Sequence, residues 1–278
     1  MDSKEMAPGD IERRSFEIIT EELGGRTFPP LEEPVVKRVI HTTADFSYAD
    51  SLVFTHDAAH CALDALRAGA TVLTDTNMAL AGISKPALAK IGCQAVCYMA
   101  DPDVAATARA AGTTRAVASM DKACGIEGPL IVAVGNAPTA LLRLAELMDA
   151  GKIAPALVVG VPVGFVNVVE AKEELLARRV PAIVARGRKG GSTVAAAIMN
   201  ALLYQITRQA ARSDGPRIRA GAAHLRRHHR GPPSVRMGER GGNPRPCLRG
   251  NRVRRRAFGR ASGHRGACGQ ARRGRHGA

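Results

Sequence analysis

Apolar residues recur at helical spacing from the start of the chain. Ile11, Phe16, Ile19 and Leu23 form one stripe, with Asp10 placed to cap the helix and Gly24-Gly25 to end it. Residues 26–34 are proline-rich and lead to a second stripe, Val35, Val36, Val39 and Ile40, in which Pro34 suits a first-turn position. Leu52-Val53-Phe54 is a short apolar segment, and residues 57–68 read as a helix stopped by Gly69. Residues 70–74 then read as a strand. From residue 94 a rhythm sets in, with short apolar runs at 94–99, 130–134, 156–161 and 182–185. Helical stretches at 103–111, 138–150, 166–177 and 192–209 follow them in turn. Unbroken β-branched runs mark strands buried on both faces. The pattern predicts an α/β fold, a three-layer α/β/α arrangement around a mainly parallel sheet.

In such sheets ligands bind beyond the carboxyl ends of the strands. The loops that fall there are Asp75-Thr76-Asn77, residues 112–115, residues 135–139, residues 160–164 and residues 186–192. They are rich in glycine, and several open helices whose free N–H groups attract anions. Arg115, Arg186, Arg188, Lys189, Ser192 and Thr193 add charge-assisted or hydroxyl hydrogen bonds. Together they describe a pocket for a polyanion. Neither the G-x-x-x-x-G-K-[ST] order nor G-x-G-x-x-G is present, which counts against a nucleotide-binding α/β enzyme. No nucleophile elbow appears either.

Between the helical stripes and the sheet stands Arg38-Val39-Ile40-His41-Thr42-Thr43-Ala44-Asp45-Phe46. Arg38 and His41 lie three apart, so a helix carries both on one face. An imidazole can give or take a proton near neutrality, and in a basic, glycine-lined surround this points to proton-assisted chemistry on an anionic substrate. Ser15, on the first helix beside Phe16, reads by default as a helix serine bonded to its own backbone. Thr42, Asp45 and Asn136 read as groups that orient His41 or cap helices.

Charge divides the chain. The net charge is +15, yet residues 211–278 hold 19 Arg, no Lys and 2 acidic residues, which leaves 21 basic and 23 acidic residues in 1–210. The expected organisation is therefore a domain at 1–210 followed by a disordered Arg/Gly-rich tail at 211–278. Three readings of that tail compete: a nucleic-acid arm, a membrane-surface or partner tail, and the product of a shifted reading frame in a GC-rich gene. The loss of lysine, with Phe258 as its one aromatic residue, favours the last and argues against a stacking platform for bases. No apolar run reaches the ~18 residues of a membrane span, and the polar start is unlike a signal peptide. Cys61, Cys93, Cys97 and Cys124 lack zinc-like spacing and read as reduced thiols in a cytoplasmic protein without a metal site.

Six motifs in order carry a resemblance. They are Arg14-Ser15-Phe16-x-Ile18-Ile19, the Val39-to-Phe46 stretch, Thr74-Asp75-Thr76-x-Met78-Ala79 and Gly135-Asn136-Ala137-Pro138-Thr139-Ala140. Gly160-x-Pro162-Val163-Gly164-Phe165-Val166 with Glu170-Ala171-Lys172, and Gly187-Arg188-Lys189-Gly190-Gly191-Ser192, complete the set. Over residues 10–208 the chain resembles the precorrin-8X / cobalt-precorrin-8 methylmutases of cobalamin biosynthesis, and its His-Thr-Thr-Ala-Asp-Phe form looks more like the cobalt branch. The resemblance implies an isomerase that moves a methyl group from C11 to C12 of a corrin precursor to give cobyrinate or hydrogenobyrinate. It implies His41 as proton donor and acceptor, with Ser15, Arg38 and Arg115 as substrate contacts. Thr42, Asn136, Arg188, Lys189 and Ser192 complete the expected substrate-binding set. A homodimer follows from the same source, as does the absence of a cofactor, since any cobalt would arrive inside the tetrapyrrole. The family's chains end near Tyr204, so the tail is a departure. A nucleic-acid-binding protein that uses its tail beside a degenerate enzyme domain is the alternative of another class.

Overall fold

The computed structural model describes residues 7–213. Helix α1 (Pro8–Glu22) begins at a proline whose fixed φ suits the first turn, so Asp10 lies inside that turn and pairs with Arg13 at 2.8 Å. Asp10 is therefore not the cap. Gly24 and Gly25 end the segment as expected, at φ 61° and 81°. Helix α2 (Glu33–Thr43) buries Val35, Val36, Val39 and Ile40. It stops at Ala44, whose left-handed backbone returns its N–H to the Ile40 carbonyl at 2.7 Å.

The rest of the chain is a short helix α3 (Tyr48–Ser51), strand β1 (Leu52–Thr55), α4 (Ala58–Arg67), β2 (Thr71–Thr74), α5 (Asn77–Gly82), α6 (Lys85–Lys90) and β3 (Gln94–Val96). It continues through α7 (Pro102–Ala110), α8 (Arg115–Ala123), β4 (Leu130–Val134), α9 (Pro138–Asp149), β5 (Leu157–Gly160), α10 (Val168–Leu176), β6 (Ala182–Ala185) and α11 (Ser192–Ser213). The sequence pattern did not resolve α3, α5, α6 and α8, which span four to nine residues and are too short for a clear period. Their capping signals are real all the same. Thr76, Ser84 and Thr114 each accept a hydrogen bond from the main-chain N–H three residues on.

The six strands form one sheet in the order β1-β6-β5-β4-β2-β3. All neighbours are parallel except β1, which pairs antiparallel with β6 from Leu52↔Ala185 to Thr55↔Ala182. Successive strand residues feed opposite layers. Ile131, Ala133, Leu157, Val159 and Ile183 pack with helices α1, α2, α4 and α11, whereas Leu130, Val132, Val134, Val158 and Val184 pack with α8, α9 and α10. Both faces are covered, which is why the strands read as unbroken apolar runs. The expected three-layer α/β/α fold with a mainly parallel sheet is the observed one. The tail lies outside the described residues from residue 214 on, and α11 runs three residues past the boundary expected at 210.

The order of strands reverses between β2 and β4, and this is where open α/β sheets form a crevice. Here the crevice is closed by main chain. A Cβ on Gly135, just after β4, would lie 2.7 Å from Ser192 Cα and 2.9 Å from the Gly191 oxygen. A Cβ on Gly190 would lie 2.1 Å from the Val161 oxygen, and Gly191 N–H donates to that same carbonyl at 2.8 Å. These glycines let the loops after β4, β5 and β6 touch one another. Gly135→Ala should accordingly destabilise the protein by about 1–3 kcal/mol, as overpacking does. Urea unfolding checks this: the midpoint is expected to fall at constant slope, and an unchanged midpoint refutes the packing role.

Candidate active site

His41 occupies the last turn of α2, where its exposed ring stacks on Phe16 of α1 with centroids 5.2 Å apart and planes 9° apart. Arg38, one turn back, sets its guanidinium 4.7 Å from the same Phe16 ring and 5.3 Å from Tyr204 of α11. The face shared by Arg38 and His41 is thus real, and Phe16 is what both rest on. The Arg38 side chain is 13% exposed and its Nη2 lies 2.6 Å from Glu12. Burial opposes ionisation of Glu12, but the Arg38 hydrogen bond and charge outweigh it and hold the carboxyl below its usual range. The imidazole itself makes no hydrogen bond or ion pair with side chains among the described residues.

Two cavities flank this stack. One of about 270 Å³ is lined by Ser15, Ile19, Ile40, His41 and Phe46, and a second of about 470 Å³ is lined by Phe16, Lys37, Arg38, Tyr204 and Arg208. Ser15 shares the first cavity with His41, although its hydroxyl donates to the Ile11 carbonyl at 2.9 Å. Thr42 likewise donates to the Arg38 carbonyl at 2.8 Å, so it does not orient the imidazole. Asp45 is taken up elsewhere as well. Its carboxylate accepts from Lys189 Nζ at 2.6 Å and from Ser47 N–H at 3.0 Å, and Lys189 chiefly lowers its pKa to about 2.

The Lys189–Asp45 pair joins the helical part of the site to the loops at the carboxyl edge of the sheet. On those loops the guanidinium of Arg188 lies 5.5 Å from the ring of Phe165, which is 83% exposed. Val163 and Val166 are exposed on the loop after β5, and Met78 is exposed in the first turn of α5. Arg115 begins α8, exposed, and its neighbour Thr114 reaches Thr139 at 3.5 Å. The Ser192 hydroxyl is within 2.8 Å of the Thr76 hydroxyl. The side chain of Asn136 is exposed, but its N–H is engaged.

That engagement alters the reading of the loops. Asp75, buried at the end of β2, accepts from Gly135 N–H at 2.9 Å and from Asn136 and Ala137 N–H at 2.8 Å. The donors at the start of α9 that sequence assigned to a ligand anion are filled by the protein's own carboxylate. Burial pushes the Asp75 carboxyl above its ordinary range, and the three N–H bonds pull it back. A second buried charge mirrors it. Lys172 of α10 is fully buried and donates from Nζ to the Gly187 and Lys189 carbonyls, each at 2.8 Å. Burial lowers its ammonium from the usual 10.5 to about 8. The sequence carried a signal for it: Lys172 stands in the stripe Val168, Ala171, Lys172, Leu175, where an apolar residue belongs. The exposed Val163, Phe165 and Val166 were visible too, but Val166 reads as the start of a helix, which begins at Val168 instead.

Among the described residues no cluster of three metal-ligating side chains occurs, and no helix is long and apolar enough to cross a membrane. The site offers one proton-transfer group, a stacked aromatic and arginine pair beside it, and a basic, apolar-rimmed loop surface. Comparison with known proteins gives this a family context. The family model described as precorrin-8X methylmutase matches residues 10–205. The cobalt-precorrin-8 methylmutase of Salmonella typhimurium is 47% identical over 205 residues, 72% of this chain and 96% of that protein. Its counterpart in Priestia megaterium is 46% identical over 195 residues, 70% of this chain and 87% of that one. The solved precorrin-8X methylmutase of Thermus thermophilus superposes with a TM-score of 0.67 at 44% identity, over 72% of this chain and 98% of that structure.

Asp75→Asn replaces one acceptor with a donor that faces main-chain N–H groups, which should cost about 1–3 kcal/mol for the unsatisfied group. Amide hydrogen exchange reads it directly: residues 135–137 should lose protection in the variant, and unchanged protection there refutes the clamp.

Proposed function

From the premise that the chain belongs to the precorrin-8X methylmutase family, a family of methyl-shifting isomerases in cobalamin biosynthesis, we propose that its substrate is cobalt-precorrin-8 and its product cobyrinate. The two relatives at 46% and 47% identity both bear the cobalt name, which supports that branch. The reaction breaks the bond from C11 to the methyl carbon as the bond to C12 forms. No atom is gained or lost, so no redox or group-carrying cofactor is needed, and the cobalt enters as part of the substrate.

The observation that carries the mechanism is the free imidazole of His41, fixed by its stack on Phe16 and open to the cavity beside Ser15. A proton placed by His41 on the conjugated ring withdraws electron density from the migration path and lowers the barrier. Composition is unchanged by the isomerisation, so the imidazole must regain that proton before the next turnover. The other residues orient the ring. Arg115, Arg188 and Lys189 suit the acetate and propionate carboxylates of a corrin precursor, and the exposed Phe165, Val163 and Met78 suit its apolar faces. Arg38 reaches the substrate only by sharing the pairing it already has with Glu12. Ser15 offers its hydroxyl lone pairs, since its proton goes to Ile11. Thr42 and Asn136 border the site, and Ser192 holds the β6–α11 loop against Thr76. We further read the protein as cytoplasmic and, as the family resemblance implies, a homodimer.

A visible-absorption time course of the full chain with cobalt-precorrin-8, run beside metal-free precorrin-8X, tests this reading. Turnover is expected with the cobalt substrate, because the shift alters the conjugated path. His41→Ala should lower kcat by about 10²-fold or more, in the range of general acid–base contributions, with little change in KM. A His41→Ala protein that turns over at the wild-type rate removes His41 from the mechanism. Turnover of precorrin-8X alone would move the enzyme to the metal-free branch.

A further inference from the structure

Lys172 is the one fully buried lysine among the described residues, and nothing in the mechanism above uses it. We propose that Lys172 is a positioning residue of the 186–191 loop, and that its buried ammonium, paired with no carboxylate among the described residues, also draws the carboxylates of the substrate to that loop. The proposal rests on the reading of this loop as a surface that receives the tetrapyrrole.

The geometry is specific. Nζ donates to the carbonyls on either side of Arg188, those of Gly187 and Lys189, and so fixes the two peptides that aim the Arg188 and Lys189 side chains. Among the described residues its surroundings supply no counter-charge. On α10, Glu173 pairs with Arg186 at 3.0 Å, Glu174 pairs with Arg178 at 3.1 Å, and Glu170 is exposed. On α9, Arg143 and Glu146 pair with each other, and Asp149 pairs with Arg178. Strand β6 and the segment from Val161 to Asn167 hold no ionisable side chain. On the loop itself the Arg188 guanidinium lies 5.5 Å from the exposed Phe165 ring, and Lys189 pairs with Asp45.

A leucine or methionine at position 172 would complete the apolar stripe without the cost of burying a charge. What the ammonium does that they cannot is act on its two carbonyls and on whatever binds above them. Carbonyl dipoles solvate a cation only in part, and at low dielectric the remaining field reaches an anion on the loop with little screening. Binding and protonation are then linked. An anion on the loop raises the proton affinity of Lys172, so binding takes up a proton near the value of about 8 to which burial has brought this group. Affinity falls as pH rises past that point.

The experiment is an absorbance titration of the full-length protein with cobyrinate, from about pH 7 to about pH 9.5, for wild type and Lys172→Met. One unit of raised pKa in the complex corresponds to about tenfold in affinity. Wild-type affinity should therefore drop by about tenfold across the series, while Lys172→Met binds about tenfold more weakly at the low end and stays flat. In turnover the variant should show the loss in KM and keep kcat within about threefold, which separates positioning from chemistry. A variant that tracks wild type across the pH series overturns the proposal. Should the variant not fold, calorimetry of the wild type at pH 8 in two buffers of different ionisation enthalpy decides: net proton uptake supports the proposal, and none overturns it. If wild type binds cobyrinate at no pH, the methylmutase reading fails and takes this proposal with it. Binding that is merely independent of Lys172 leaves that reading standing.

Discussion

Two buried charges that are satisfied by main chain hold the functional edge of this protein together. Asp75 gathers the N–H groups after β4, and Lys172 gathers the carbonyls after β6. Neither has an ionic partner among the described residues. The arrangement needs a sheet whose strand ends point the right backbone groups at each charge, so the apolar layers and these polar ties depend on one another. Where the strand order reverses, the fold would leave an opening for a ligand. Asp75 fills it from within, which leaves the side chains on the loop tips as the exposed groups of that edge.

The helical half of the site follows another logic. Phe16 is shared: the imidazole stacks on its ring, and the Arg38 guanidinium lies against it while it reaches Tyr204 and Glu12. A flat ring on a neighbouring helix orients an imidazole without occupying either nitrogen, which a hydrogen-bonding carboxylate cannot do. The two halves meet where Lys189 crosses to Asp45, and that pairing keeps an otherwise exposed lysine from swinging freely.

Much of this was legible in the sequence. The sheet was, because strands buried on both faces must be apolar at every position, and residues 130–134 and 182–185 announce this directly. The antiparallel direction of β1 was not, because apolar periodicity carries no direction. The side chains that line the candidate site could be named from sequence, but the hydrogen-bond partners of several could not. Glycines at 135 and 190 read as room for a ligand, whereas the room is taken by neighbouring backbone. Ser15 bonds back to its own helix, as its default reading has it, and so does Thr42, which reads as a group to orient His41 or cap a helix. Asp45 reads as a group that orients His41 or caps a helix; it accepts from the Ser47 N–H just before α3 and from Lys189, and makes no bond to His41 among the described residues. Such outcomes depend on which side chain a distant segment brings near, and no local pattern encodes that. Lys172 is the converse: a local anomaly in an apolar stripe that pointed to a distant loop.

The pairing of β1 with β6 bears on how the protein is made. Thr55 bonds to the Val180 carbonyl across 125 residues of sequence, and α2, which carries His41, packs on α11, the last described element. Contacts of such long range form late, because the intervening chain must close first. A nascent chain still lacking α11 holds His41 and Phe16 but not the helix on which α2 packs most. The stack of His41 on Phe16 therefore gains its full support only after the chain has been made through α11 and that helix has docked.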